Sequence, residues 1–86
     1  KDVKVGKAPY GVFSNEDINL LFVTNVQSNS VTIIDKNSLK ALTNIDVGQW
    51  PYQIAYENKR KLIFVTNQRD NSISIIDLKN TLSFEK

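Results

Sequence analysis

The chain has 86 residues and a mass of 9.8 kDa, and its 11 Lys and Arg against 9 Asp and Glu leave a formal charge of +2. It contains no cysteine and no histidine, so these residues offer no disulfide, thiolate or imidazole metal site, thiol nucleophile or histidine-based triad. A net charge this small gives no field that would select a polyanion, and the longest apolar runs, such as Leu20 to Val23, fall far short of the ~20 residues that span a bilayer.

In chain order, Val5-Gly6 and Pro9 lead into a first strand over Tyr10 to Ser14, which the polar Asn15-Glu16-Asp17 ends. A second strand follows from Leu20 to Thr24, then a loop rich in Asn, Ser and Gln. The third strand runs from Ser30 to Asp35 and the fourth over about Lys40 to Val47. The whole pattern then begins again at an offset of 42 residues and holds without a gap to the end of the chain. Strands are expected over Tyr52 to Tyr56, Leu62 to Thr66, Ser72 to Asp77 and roughly Thr81 to Glu85. The matches include Phe22-Val23-Thr24-Asn25 with Phe64-Val65-Thr66-Asn67, Asn29-Ser30 with Asn71-Ser72, and Ile33-Ile34-Asp35 with Ile75-Ile76-Asp77. Connections of three to five residues permit only antiparallel neighbours. The expected fold class is therefore all-β, with two four-stranded antiparallel meanders. Their units cover residues 6–46 and 47–86, and residues 1–5 read as the end of an outer strand belonging to a preceding unit.

The second strands, Leu20-Leu21-Phe22-Val23 and Leu62-Ile63-Phe64-Val65, are apolar at every position, where a strand wetted on one face would alternate. Both faces of each sheet therefore require a cover. A sheet covered on each side by a sheet like itself is the blade arrangement of a β-propeller, and a period of ~40–45 residues suits such blades. A closed two-sheet sandwich would instead need outer faces that these central strands do not supply with polar residues.

Read together, "VGKAPYGV…FVTN…NSVTIID" and "VGQWPYQI…FVTN…NSISIID" resemble the units of YVTN-repeat β-propellers, with Phe22 and Phe64 where that family favours tyrosine. The resemblance covers nearly the whole chain. It implies a propeller of which two blades are present, in a protein exported to the periplasm or the cell surface. Since propellers close with about four to eight blades, further blades are the expected partners, in the same polypeptide or in symmetry-related copies. An uncovered blade face of ~300 Å² would forfeit about 7 kcal/mol of burial, as an upper bound. The chain has no methionine, even at position 1, and starts and stops within the repeat, so it reads as a window cut from a longer array.

Residues that repeat build the sheet, so function is sought where the units differ. Lys7-Ala8 becomes Gln49-Trp50 in the link into the first strand, and Val26-Gln27-Ser28 becomes Gln68-Arg69-Asp70 in the loop between the second and third strands. Propeller topology puts both connections at one end, so Lys7, Gln49, Trp50 and Arg69 form the candidate binding rim. Trp50 reads either as an aromatic anchor for a ligand or partner or as packing against the next blade. The repeated Asp35, Asp77, Asn25, Asn67, Thr24 and Thr66 read as turn and sheet residues. Lys59-Arg60-Lys61 lies at the opposite end and reads as a solvated turn, since a nucleic-acid groove would pair it with stacking aromatics. The expectation is a non-catalytic binding or scaffolding segment, in contact with a protein or small ligand, with no catalytic residues, cofactor, metal, membrane insertion or nucleic-acid partner. The alternatives are a lactonase-like or cofactor-bearing redox propeller whose active-site residues lie in other blades, and nucleic-acid binding through the Lys59 to Lys61 turn.

Overall fold

The structure, a computed structural model, describes residues 1–82. Seven strands form two antiparallel sheets in simple sequence order. The first sheet contains β1 (Pro9–Ser14), β2 (Leu20–Asn25), β3 (Ser30–Asp35) and β4 (Ala41–Asp46), and the second β5 (Pro51–Glu57), β6 (Leu62–Asn67) and β7 (Ser72–Asp77). The all-β meanders expected from the alternation of apolar bursts and turn residues are present, and the bounds of the third strand in each unit coincide with those read from the sequence.

The second sheet has three strands among the described residues, where a fourth was expected over roughly Thr81 to Glu85. Its beginning is helical, in α1 (Leu78–Leu82), and its remainder lies outside the described residues. The physical difference lies in the turn after the third strand. In the first unit Asp35 accepts the Ser38 N–H at 2.7 Å, and the chain reverses through Leu39 at φ 60, with Leu39 N–H bonded to Asp35 O, to enter β4. The position equivalent to Leu39 is Thr81, a residue type that takes a left-handed φ far less readily, and the helical turn continues instead. Asp77 caps that turn through the Lys79 N–H at 3.1 Å, and Leu78 is fully buried in the core. Residues 1–5, expected as the end of an outer strand, carry no regular structure.

The register separates the faces. Phe13, Phe22 and Ile33 lie across one face of the first sheet, with Leu20 and Val31 beside them. On the second sheet Ile54 lies opposite Val65, and Tyr56 and Ile76 both lie opposite Ile63. These two sets form the single core cluster, with Ile45, Val47 and Leu78 packed into it. Mapped through the 42-residue offset, however, they are different faces of the unit. Positions equivalent to Phe22, Val31 and Ile33 are Phe64, Ile73 and Ile75, which lie on the far side of the second sheet. The packing is thus head to tail: one unit's face meets the next unit's opposite face.

Burial follows from this. Val31 and Ile33 have no exposed surface, whereas Ile73 and Ile75 are 61% and 63% exposed. β2 is buried along almost its whole length, while β6 alternates between covered and open residues.

Candidate functional site

The repeated polar residues are occupied within the sheets, the threonines with backbone groups and the asparagines with hydroxyls. A register irregularity in β1 between Pro9 and Val12 takes the Gly11 N–H out of the ladder, and Thr24 Oγ1 accepts it at 3.1 Å. The same irregularity recurs between Pro51 and Ile54, where Thr66 Oγ1 accepts the Gln53 N–H at 2.9 Å. Thr24 also donates across the junction to Tyr52 O. Asn25 Nδ2 donates to Ser30 Oγ and Thr32 Oγ1, and Asn67 Nδ2 donates to Ser72 Oγ and Ser74 Oγ. Gly6 and Gly48 press against these asparagines; a Cβ on Gly48 would stand 2.6 Å from Asn67 Cγ, so glycine is required there. The FVTN blocks are structural.

Two repeated residues meet in a way their identity alone did not signal. Tyr10 and Tyr52 stack with ring centroids 4.5 Å apart, and their hydroxyls are hydrogen-bonded at 2.7 Å. That bond holds the Tyr10 phenol above its ordinary pKa. It places the first strands of the two units side by side.

The candidate rim lies at the junction of the units. The Trp50 N–H donates to Asn29 Oδ1 at 3.1 Å, and Trp50 O accepts the Gln68 N–H at 2.9 Å. Gln49 O accepts the Arg69 N–H, and the Gln49 N–H donates to Asp70 Oδ2. These bonds clamp the link between units onto the β2–β3 loop of the first unit and the β6–β7 loop of the second. They hold Trp50 at φ 57, a conformation that a bulky residue seldom adopts; Ala8, its equivalent, has φ 54. The turn therefore imposes the left-handed backbone in both units, and only the second puts an indole there. Trp50 is 42% exposed, and the Arg69 guanidinium carbon lies 5.0 Å from the centroid of its ring.

Gln27, Asn29, Gln49, Trp50 and Arg69 line an open concavity of about 380 Å³. Three of the four residues singled out by repeat comparison, Gln49, Trp50 and Arg69, thus come together. Lys7 does not line it; it holds the equivalent turn one unit earlier, where its N–H donates to Ser28 Oγ and its carbonyl accepts the Gln27 N–H. Asn29 joins the site although its sequence signal was only that of a loop end. Asp70, beside the rim, accepts from Ser72 Oγ at 2.6 Å and from the Gln49 N–H, which lowers its pKa.

No protein-family model matches the chain, and no curated protein is significantly similar to it. The resemblance to YVTN repeats rests on the repeated motifs alone.

The opposite end is tied up differently. Glu57 receives the N–H groups of Lys59 and Arg60 and pairs with Arg60 Nε at 3.2 Å, and its pKa is lowered by these contacts, the Arg60 N–H foremost. Lys61, at φ 58, donates from Nζ to Asn58 Oδ1. A second concavity of about 300 Å³ opens there between the sheets, with Phe13, Phe22, Ile54 and Tyr56 in its lining and no charged side chain. Among the described residues, no group of three or more acidic residues is placed to hold a metal ion.

Proposed function

We propose that the two sheets are successive blades of a β-propeller of the YVTN-repeat kind, acting as a non-catalytic binding or scaffolding segment of an exported or cell-surface protein, with the Gln49, Trp50 and Arg69 rim as its contact surface. The observation that carries this reading is the head-to-tail packing. The face that Leu20, Phe22, Val31 and Ile33 bury against the second unit is the face on which Ile73 and Ile75 stand open and Leu62 and Phe64 are only half-buried. An interface of this kind generates a ring when its rotation closes. The polar links across the junction follow the same logic: Asn29 accepts the Val47 N–H through its carbonyl and the Trp50 N–H through Oδ1, while its equivalent, Asn71, is exposed.

The binding function is supported by the contrast between what repeats and what does not. Thr24 and Thr66 accept backbone N–H groups and Asn25 and Asn67 bind hydroxyls of the neighbouring strand, whereas Trp50 and Arg69 replace Ala8 and Gln27 without any bond of the sheet depending on their side chains. Appending a third unit, a further copy of residues 47–86, tests the blade reading. The added unit covers Ile73 and Ile75 and raises the unfolding free energy by several kcal/mol. An unfolding free energy equal to that of the original chain would reject it. Trp50→Ala tests the rim: it weakens partner binding without changing the far-UV circular dichroism, and binding equal to wild type would reject that surface.

A further inference from the structure

The rim presents one kind of hydrogen-bonding group in excess. Among the described residues, the Arg69 guanidinium makes no ion pair and no hydrogen bond, and the side chains of Gln27 and Gln49 make none either. Asn29 uses its Oδ1 on the Trp50 N–H, while its Nδ2 has no protein partner. The neighbouring carboxylate, Asp70, is spent on Ser72 and the Gln49 N–H. A guanidinium held over an indole at the edge of a concavity, and left without a counter-ion, can accept a planar anion there, and a carboxylate fits it in a bidentate manner.

The rest of the lining selects among carboxylates. It holds three amide side chains and one indole and no aliphatic side chain. Amides meet hydroxyl groups, and an indole edge or face meets C–H groups, whereas a peptide carboxyl terminus would call for an apolar pocket for its last side chain. A volume of about 380 Å³ stands at the small end of ligand sites, the scale of one or two sugar rings. We propose that the inter-unit cleft formed by Gln27, Asn29, Gln49, Trp50 and Arg69 binds a uronic-acid residue of an acidic glycan, its carboxylate on Arg69 and its hydroxyls on the amides. This rests on the rim being the contact surface and adds the ligand class.

The scaffold supplies its own controls. Trp50→Ala installs what the first unit carries at Ala8, with nearly the same φ, and Arg69→Gln installs what it carries at Gln27, so the backbone already tolerates both. Trp50 is also the sole tryptophan of the chain, and its emission reports the site directly. The experiment titrates the chain with trigalacturonate, with its neutral methyl ester and with an acetylated tripeptide bearing a free carboxylate. Trp50 emission is followed for wild type and Arg69→Gln, ligand NMR is used for Trp50→Ala, and circular dichroism verifies the fold. Trigalacturonate should give a saturable change and bind about 10-fold tighter than the ester, the scale of one charge-assisted pair; Arg69→Gln should erase that preference, and Trp50→Ala should weaken binding. Equal binding of acid and ester, or wild-type preference in Arg69→Gln, overturns the carboxylate assignment while leaving the rim as a contact surface. Tighter binding of the tripeptide overturns the sugar assignment. Silence towards all three probes overturns the inference, and the third-unit stability measurement still judges the blade reading separately.

Discussion

Ile33 and Ile75 occupy the same place in the repeat, and the structure assigns them opposite energetic roles. Ile33 is fully buried, and truncation to alanine removes three carbons, worth about 2.4 kcal/mol at ~0.8 kcal/mol each. Partial collapse that leaves a cavity of about 40 Å³ adds ~1 kcal/mol, for a loss of roughly 3–4 kcal/mol. Ile75 is 63% exposed, so the same truncation forfeits only about a third of the transfer term, under ~1 kcal/mol. Urea unfolding of Ile33→Ala and Ile75→Ala measures both. With a slope of ~1 kcal/mol/M, the midpoints should separate by ~2 M or more. Equal losses in the two variants would mean that the far side of the second sheet is covered in this chain, and the head-to-tail argument would fail.

Asn67→Ala removes the bonds to Ser72 and Ser74 and should cost about 2 kcal/mol by urea denaturation; a loss under ~0.5 kcal/mol would deny the asparagine its bracing role. Asp35, Glu57 and Asp70 all have pKa values lowered by hydrogen bonds in the folded state. The unfolded chain therefore takes up protons first, and the stability these groups contribute at neutral pH is lost as pH falls through their depressed values; urea midpoints that stayed flat or rose on acidification would contradict this. Tyr52→Phe removes the hydroxyl that holds the Tyr10 phenol high, so ultraviolet titration should show the Tyr10 ionisation moving down towards the ordinary tyrosine range, and an unmoved titration would break the pair.

Local chemistry made the strands legible. The apolar bursts and the Asn, Ser and Asp punctuation act over a few residues, and Ser30–Asp35 and Ser72–Asp77 coincide with the strands read from them. Ile33 and Ile75 show why burial was not legible: the same residue in the same motif is closed or open according to a neighbour that local sequence does not encode. The helical turn of α1 was missed because the first unit's entry into β4 depends on the left-handed step at Leu39, for which leucine carries no signal. At the rim, repeat comparison marked Gln49, Trp50 and Arg69, since both loops emerge at one end of the sheets. The strain at Trp50 and the recruitment of Asn29 were hidden, because neither residue type announces the backbone conformation or the cross-junction bond it adopts.

The central claim is that the face of the second unit that carries Ile73 and Ile75 stands open in this chain, while the same face of the first unit, with Val31 and Ile33, is buried. Sedimentation equilibrium of the chain over a range of concentrations tests it most directly. Association through that open face should raise the mass above 9.8 kDa as concentration increases, and Ile75→Asp, which places a charge there, should return it to 9.8 kDa. A folded monomer at every concentration, or association indifferent to Ile75→Asp, would contradict it.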